Sequence, residues 1–200
     1  MYLLFDIGGT KMRIGVSADG QTISQNKIVS TLEDFNSGIQ QLKRIAQELA
    51  EGQEITGVAG GIAGALDQTK SKLVTSPHLT DWINQPIREE LEKSFDCRVE
   101  LENDANLEGL GEAVKGAGKG KKVVDILTLG TGVGGARVTD GKLDKNVFGF
   151  EPGHQIIIPD GNSCNCGCRG HLEAYIAGSY LEKNYQQKAE NIKDDGIWDQ

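Results

Sequence analysis

Long apolar runs are missing from these 200 residues, so no stretch reads as a membrane-spanning helix. The opening MYLLFDIGG lacks the charged start and apolar stretch of a secretory signal, and neither leader nor anchor is expected. Cysteine is scarce: Cys97 stands alone, and Cys164, Cys166 and Cys168 crowd into five residues, a spacing that suits a metal rather than a disulfide framework. Together these absences point to a reducing, cytoplasmic setting. Positive charge is also in deficit, with 21 basic against 29 acidic side chains and a net charge of −8. A polyanion such as DNA would be repelled, and the short run Lys119, Lys121, Lys122 in a Gly-rich loop reads as solvated. The segment DIGGTK is not a Walker loop, since no GKT or GKS enters a helix, and it lacks the GxGxxG of a dinucleotide site.

Glycine is what the chain has in excess. Its 27 glycines cluster at 8–9, 57–64, 130–135 and 149–170, between apolar runs, where backbone turns sharply or approaches a ligand. The apolar content of 38% is that of a globular enzyme, and the length suits one large domain or two small ones. Tyr2–Phe5 and Met12–Ser17 read as strands around DIGGTK. A helix is expected from Thr31, with Phe35, Ile39, Leu42, Ile45 and Leu49 at helical spacing and Thr31 with Asp34 as a capping box. Residues 55–62 read as a buried strand, Pro86 opens a helix, Val99–Leu101 is a strand, and Asp104 opens another helix. Then the design restarts: ILTLGTGVGGARV (126–138) repeats the strand, Gly/Thr turn and strand of LLFDIGGTKMRIGV (3–16). Two related halves are implied, 1–116 and 117–200, parted near KGAGKGKK. HLEAYIAGSYLEKNYQQKAEN reads as a single helix, kinked near Gly178.

Three segments carry chemistry. In DIGGTK, the turn Gly8-Gly9-Thr10 can face a phosphate with its N–H groups and hydroxyl, and Lys11 adds charge; an ordinary hairpin would look the same. LGTGVGG offers a second such turn, as a clamp on one phosphate chain requires. In VELENDANLEGLGEA, Asp104 sits where strand hands over to helix. It reads either as an N-cap or as the base that takes a hydroxyl proton during phosphoryl transfer, a role for which an ordinary low pKa suffices. In FGFEPGHQIIIPDGNSCNCGCRGHLEAY, thiols and imidazoles in one tight loop suit a tetrahedral structural zinc.

The pair of turns resembles the actin, Hsp70 and sugar-kinase superfold, and the order DxGGTK, GxxG, ENDAN, LGTGVGG, ExGH and C-x-C-G-x-x-G-x-x-E resembles the ROK family over about residues 2–178. The resemblance implies an α/β, two-lobed, duplicated RNase-H-like (actin-like ATPase) fold with a truncated second lobe. It implies ATP-dependent phosphorylation of a hexose or N-acetylhexosamine, with ATP, Mg²⁺ and Zn²⁺, small-molecule partners only, and room for a homodimer. Carried over residue by residue, Gly8, Gly9, Thr10 and Lys11 face the ATP phosphates with Asp6 near Mg²⁺, and Thr131 and Gly132 clamp from the other side. Asn103, Glu151, His154 and Glu173 bind sugar hydroxyls, the Gly64 backbone closes the pocket, and Asp104 is the base. His154, Cys164 and Cys166 hold zinc.

This chain departs from the family pattern in three places. His171 stands where the family has a third cysteine, giving His154, Cys164, Cys166 and His171, with Cys168 as a rival fourth ligand. His78 stands where Asn is frequent on the sugar side, and the chain ends at Gln200, before the segment that closes over adenosine in relatives. A non-catalytic sugar-binding or regulatory protein, or a fragment without an adenosine pocket, is the alternative. A polyphosphate donor fits poorly with the charge of −8.

Overall fold

A computed structural model of the chain describes residues 1–76, 78–144, 150–188 and 191–192. Contacts group these into two units, Met1–Leu107 and Glu108–Gln200. In chain order the first runs β1 (Tyr2–Ile7), β2 (Lys11–Ser17), β3 (Gln25–Ser30), α1 (Phe35–Ala50), β4 (Gly57–Ile62), β5 (Ala65–Leu66), β6 (Leu73–Thr75), α2 (Ile87–Phe95), β7 (Val99–Asn103) and the start of α3 (Asp104–Val114).

One mixed sheet in the order β3-β2-β1-β4-β7 carries this unit. β1 pairs antiparallel with β2, while β4 and β7 run parallel to it, in a register that aligns Ile7, Ile62 and Asn103 across three strands. The carboxyl ends of three parallel strands therefore meet at one edge, where open α/β sheets bind their ligands. β3 was not foreseen: QNKIVS is mostly polar, and as an outer strand it buries little.

Helix α1 forms because Phe35, Ile39, Leu42, Ile45, Ala46 and Leu49 recur on one face, all buried. Asp34 alone caps it, its Oδ1 accepting from the Ser37 N–H at 2.8 Å. The expected capping box at Thr31 is corrected: Thr31 lies outside the helix, and its hydroxyl donates to the Gly8 carbonyl at 2.7 Å. Trp82, fully buried, packs edge-on against Phe35 at 5.2 Å and donates from Nε1 to the Leu32 carbonyl at 3.1 Å. Pro86 precedes α2, which buries Ile87 and Leu91.

The second unit holds the rest of α3, then β8 (Val123–Leu129), β9 (Val133–Thr139), β10 (Lys142–Leu143), α4 (Glu173–Ile176) and α5 (Gly178–Tyr185). β8 and β9 form the second hairpin, and the sheet order is β10-β9-β8. The single helix expected after the cysteines is instead two. Ala177 is extended, with φ −67° and ψ 144°, and the Gly178 N–H leaves the helical ladder to donate to the Gly130 carbonyl at 2.8 Å. Residues 189 and 190 of that expected helix lie outside the described residues. Among the described residues no helix is long and apolar enough to cross a membrane.

Leu42 is fully buried beneath the sheet-facing side of α1. Leu42→Ala is expected to cost about 2–5 kcal/mol in urea unfolding, the range for a buried leucine whose cavity does not collapse.

Candidate functional site

In the first unit, the turn between β1 and β2 is closed by the Gly8 N–H donating to the Lys11 carbonyl at 3.0 Å. One of the turn's N–H groups is thus already spent. Thr31 ties the turn from behind, its N–H on the Thr10 carbonyl at 3.0 Å in addition to its hydroxyl on Gly8. Thr10 and Lys11 are exposed, and His78 lies against the Gly9 backbone. Asp6, near the carboxyl end of β1, sits directly across from Arg13 on β2, with Arg13 Nη1 2.5 Å from its Oδ2. Sequence reasoning had placed Asp6 by Mg²⁺ and had overlooked this cation.

At the β7–α3 junction the two candidate residues divide their work. Asn103 is the cap: its Oδ1 accepts from the Asn106 N–H at 3.1 Å, the bond that satisfies an orphan donor of the first turn. Its Nδ2 donates to the Gly64 carbonyl and to Asp104 Oδ1, both at 3.0 Å. Gly64 takes φ +134°, and a Cβ there would lie 2.4 Å from the Thr75 carbonyl oxygen, so only glycine fits. Asp104 Oδ1 also accepts from the Ala105 N–H at 2.9 Å. Burial pushes the Asp104 carboxyl above the ordinary aspartate range and the charge of Asp6 adds to the push, against the lowering by Ala105 and Asn103. Glu102, which sequence reasoning passed over, accepts from the Asn103 N–H at 2.9 Å and from Asn106 Nδ2 at 3.1 Å, and pairs with Lys70. Its signal was present as the four-residue spacing to Asn106 inside ENDAN.

In the second unit, the turn 130–132 is held from two directions. The Gly178 N–H and Ser179 hydroxyl donate to the Gly130 and Thr131 carbonyls at 2.8 and 2.6 Å. Glu173 Oε2 accepts from the Val133 N–H at 2.9 Å. A Cβ on Gly132 would come within 2.7 Å of that same oxygen, so a side chain there would have to displace the carboxylate. Thr131 is exposed. Glu151 precedes a single 3-10 turn, Pro152–His154. Packing around its carboxyl pushes it up, His154 opposes and Glu173 reinforces.

His154, Cys164, Cys166 and His171 come together with their ligand atoms all within 4.8 Å of one another. A tetrahedral zinc with Zn–N of about 2.0–2.1 Å and Zn–S of about 2.3 Å sets N···N edges of roughly 3.3 Å and N···S edges of roughly 3.6 Å. The two imidazole Nδ1 atoms are 3.2 Å apart, Cys166 Sγ is 3.3 Å from His171 Nδ1, and Cys164 Sγ is 4.0 Å from His154 Nδ1. The donor set and its spacing fit the ion. Cys168 is outside the cluster, and its carbonyl accepts from the Cys164 N–H at 2.8 Å. Two tyrosines staple the loop, Tyr180 Oη accepting from the Asn165 N–H at 2.7 Å and Tyr175 Oη from the Asn162 N–H at 2.8 Å.

The profile of the ROK family matches residues 2–200. A glucokinase of Thermotoga maritima is 38% identical over 184 residues, which cover 89% of this chain and 57% of that relative. Among solved structures, a ROK family glucokinase from Streptomyces griseus in complex with glucose and AMPPNP superposes with a TM-score of 0.74 at 33% identity, over 91% of this chain and 59% of that one. A ROK hexokinase from Thermus thermophilus gives a TM-score of 0.81 at 32% identity, over 94% and 65%. The chain thus spans about three fifths of the length of these relatives. Its mixed α/β architecture is that of ROK sugar-kinase structures, the actin-like ATPase fold.

The raised pKa of Asp104 has a consequence for stability. Between the ordinary aspartate value and its own, the folded protein keeps a proton that the unfolded chain has released, so stability falls as pH rises through that window and the penalty persists above it. Asp104→Asn removes the penalty while its amide oxygen can still accept from Ala105. At neutral pH the variant is expected to unfold at higher urea than the wild type, with the gap closing below the carboxylate range. Equal or lower stability at neutral pH contradicts this.

Proposed function

The chain belongs to the ROK family, and from that premise we propose that it transfers the γ-phosphate of ATP to a hydroxyl of a hexose or N-acetylhexosamine. The observation that carries the reading is Asp104: a carboxylate raised by burial, at the carboxyl edge of three parallel strands, relieved of capping duty by Asn103. Desolvation makes it a stronger base than a surface aspartate. As the sugar oxygen attacks the γ-phosphorus, Asp104 takes the hydroxyl proton, the P–O bond to ADP breaks, and sugar phosphate and ADP result. The relatives named glucokinase and hexokinase support this substrate class.

Roles for the remaining residues follow the motifs. Gly8, Gly9, Thr10 and Lys11 of the lobe 1–116 take the phosphates, and Thr131 and Gly132 of 117–200 hold them from the second turn. Asp6 would bind Mg²⁺, which supplies neutralising charge for the phosphates; a single hard carboxylate suits an ion that keeps most of its ligands as water and phosphate. Asn103, Glu151, His154 and Glu173 orient the sugar hydroxyls, with the Gly64 backbone at the pocket wall. His154, Cys164, Cys166 and His171 would hold one structural zinc. His154 turns Nδ1 to the cluster, which leaves Nε2 for a sugar hydroxyl.

A coupled assay with ATP against glucose, N-acetylglucosamine, N-acetylmannosamine, fructose and allose tests the reading. Turnover of at least one sugar is expected, and Asp104→Asn should lower kcat by at least roughly 10²–10⁴-fold with sugar affinity near normal. Near-normal turnover in the variant, or sugar binding without any turnover in the wild type, counts against it. Metal analysis of the purified protein should find one zinc per chain, lost in His171→Ala and retained in Cys168→Ala. The reverse pattern would transfer the fourth position to Cys168, and no metal in the wild type would remove the zinc reading.

A further inference from the structure

Glu173 is assigned above to the sugar, yet its hydrogen bond goes elsewhere. It follows His171 by two residues and opens α4, so the metal loop sets where its side chain starts. Its Oε1 lies 3.7 Å from Cys164 Sγ, and its Oε2 accepts from the Val133 N–H at 2.9 Å, forty residues away in sequence. The same oxygen occupies the space that a side chain at position 132 would need. Gly178 and Ser179 in turn hold the carbonyls of Gly130 and Thr131. The turn is thus fastened at an N–H by α4 and at two carbonyls by α5. A charge-assisted bond to a backbone N–H is among the stronger hydrogen bonds a protein makes.

We infer that Glu173 is a positioning residue for the turn Gly130–Gly132, and that the cluster of His154, Cys164, Cys166 and His171 governs the geometry of this turn through it. Metal loading then acts on the phosphate side of the reaction as well as on the sugar side. The nucleotide part of this inference rests on the reading of Thr131 and Gly132 as phosphate ligands; the mechanical part does not. The sequence already hints at the link, since the motif that supplies Cys164 and Cys166 ends on Glu173, and the hairpin motif carries glycine where a side chain would meet the carboxylate.

Hydrogen–deuterium exchange on the zinc-loaded full chain separates this role from simple sugar binding. In Glu173→Ala, peptides covering 130–135 should exchange roughly tenfold faster or more, the scale of losing a hydrogen bond to a charged group, while 2–17 stays as protected as in the wild type. Glu173→Gln keeps an acceptor oxygen and should stay close to wild type at 130–135. Chelation of the wild-type protein should expose 130–135 together with 154–173. Titration with AMPPNP should show a weaker Kd in Glu173→Ala than in Glu173→Gln. Unchanged exchange at 130–135 in Glu173→Ala overturns the inference, as does chelation that exposes 154–173 alone. If Glu173→Ala loses protection throughout, the chelation arm decides. Because exchange is read without turnover, absence of kinase activity would defeat the proposed function and leave this test intact.

Discussion

The hydrogen bond from the Asn106 N–H to Asn103 Oδ1 governs what the first unit can do. A helix that begins directly after a strand leaves its first N–H groups without partners, and some nearby oxygen must take them. Had Asp104 done so, its charge would be stabilised by the helix and its pKa held low. With Asn103 as the cap, Asp104 is supported by the Ala105 N–H, the Asn103 amide and its own backbone N–H, and burial dominates. Glu102 steadies the arrangement one residue earlier by accepting from both Asn103 and Asn106. Three consecutive residues thus differ in what they hold: Glu102 accepts from its neighbours, Asn103 caps, and Asp104 is left without capping duty.

The second unit solves a related problem by different means. A Gly-rich turn is free to bend, and that freedom has to be removed if the turn is to meet a ligand in one shape. Here it is removed by contacts from α4 and α5, and both helices follow a loop fastened by Tyr175 and Tyr180, in which His154, Cys164, Cys166 and His171 gather. The break at Ala177 belongs to the same device. One continuous helix would keep the Gly178 N–H within its own ladder and leave the Gly130 carbonyl without it.

Much of the fold was legible in sequence wherever a pattern was local. The helical spacing of Phe35, Ile39, Leu42, Ile45 and Leu49 and the repeated hairpins are such cases. β3 was not legible, because a mostly exposed outer strand has no alternation to read. Thr31 looked like a cap because hydroxyls favour caps, and only the folded hairpin shows that its partner is Gly8. Asn103 and Asp104 are adjacent and nearly equal as caps, so composition could not choose between them. His171 was read as the fourth ligand, with Cys168 as its rival. The fold gathers His171 with the other three side chains and leaves Cys168 outside, its carbonyl accepting from the Cys164 N–H. For Thr31 and Cys168 the contacts seen in the fold are with a distant residue or between backbone groups, and such contacts leave no mark on spacing.

The central claim is that Asp104 is a desolvated carboxylate rather than a helix cap, and its titration measures this directly. Carboxyl carbon NMR on the wild-type chain, assigned by comparison with Asp104→Asn, should place its midpoint above that of an ordinary aspartate. Asp6→Asn should bring the midpoint down, because the Asp6 charge adds to the elevation. A midpoint at or below the ordinary aspartate value would return Asp104 to the role of a cap and contradict the account.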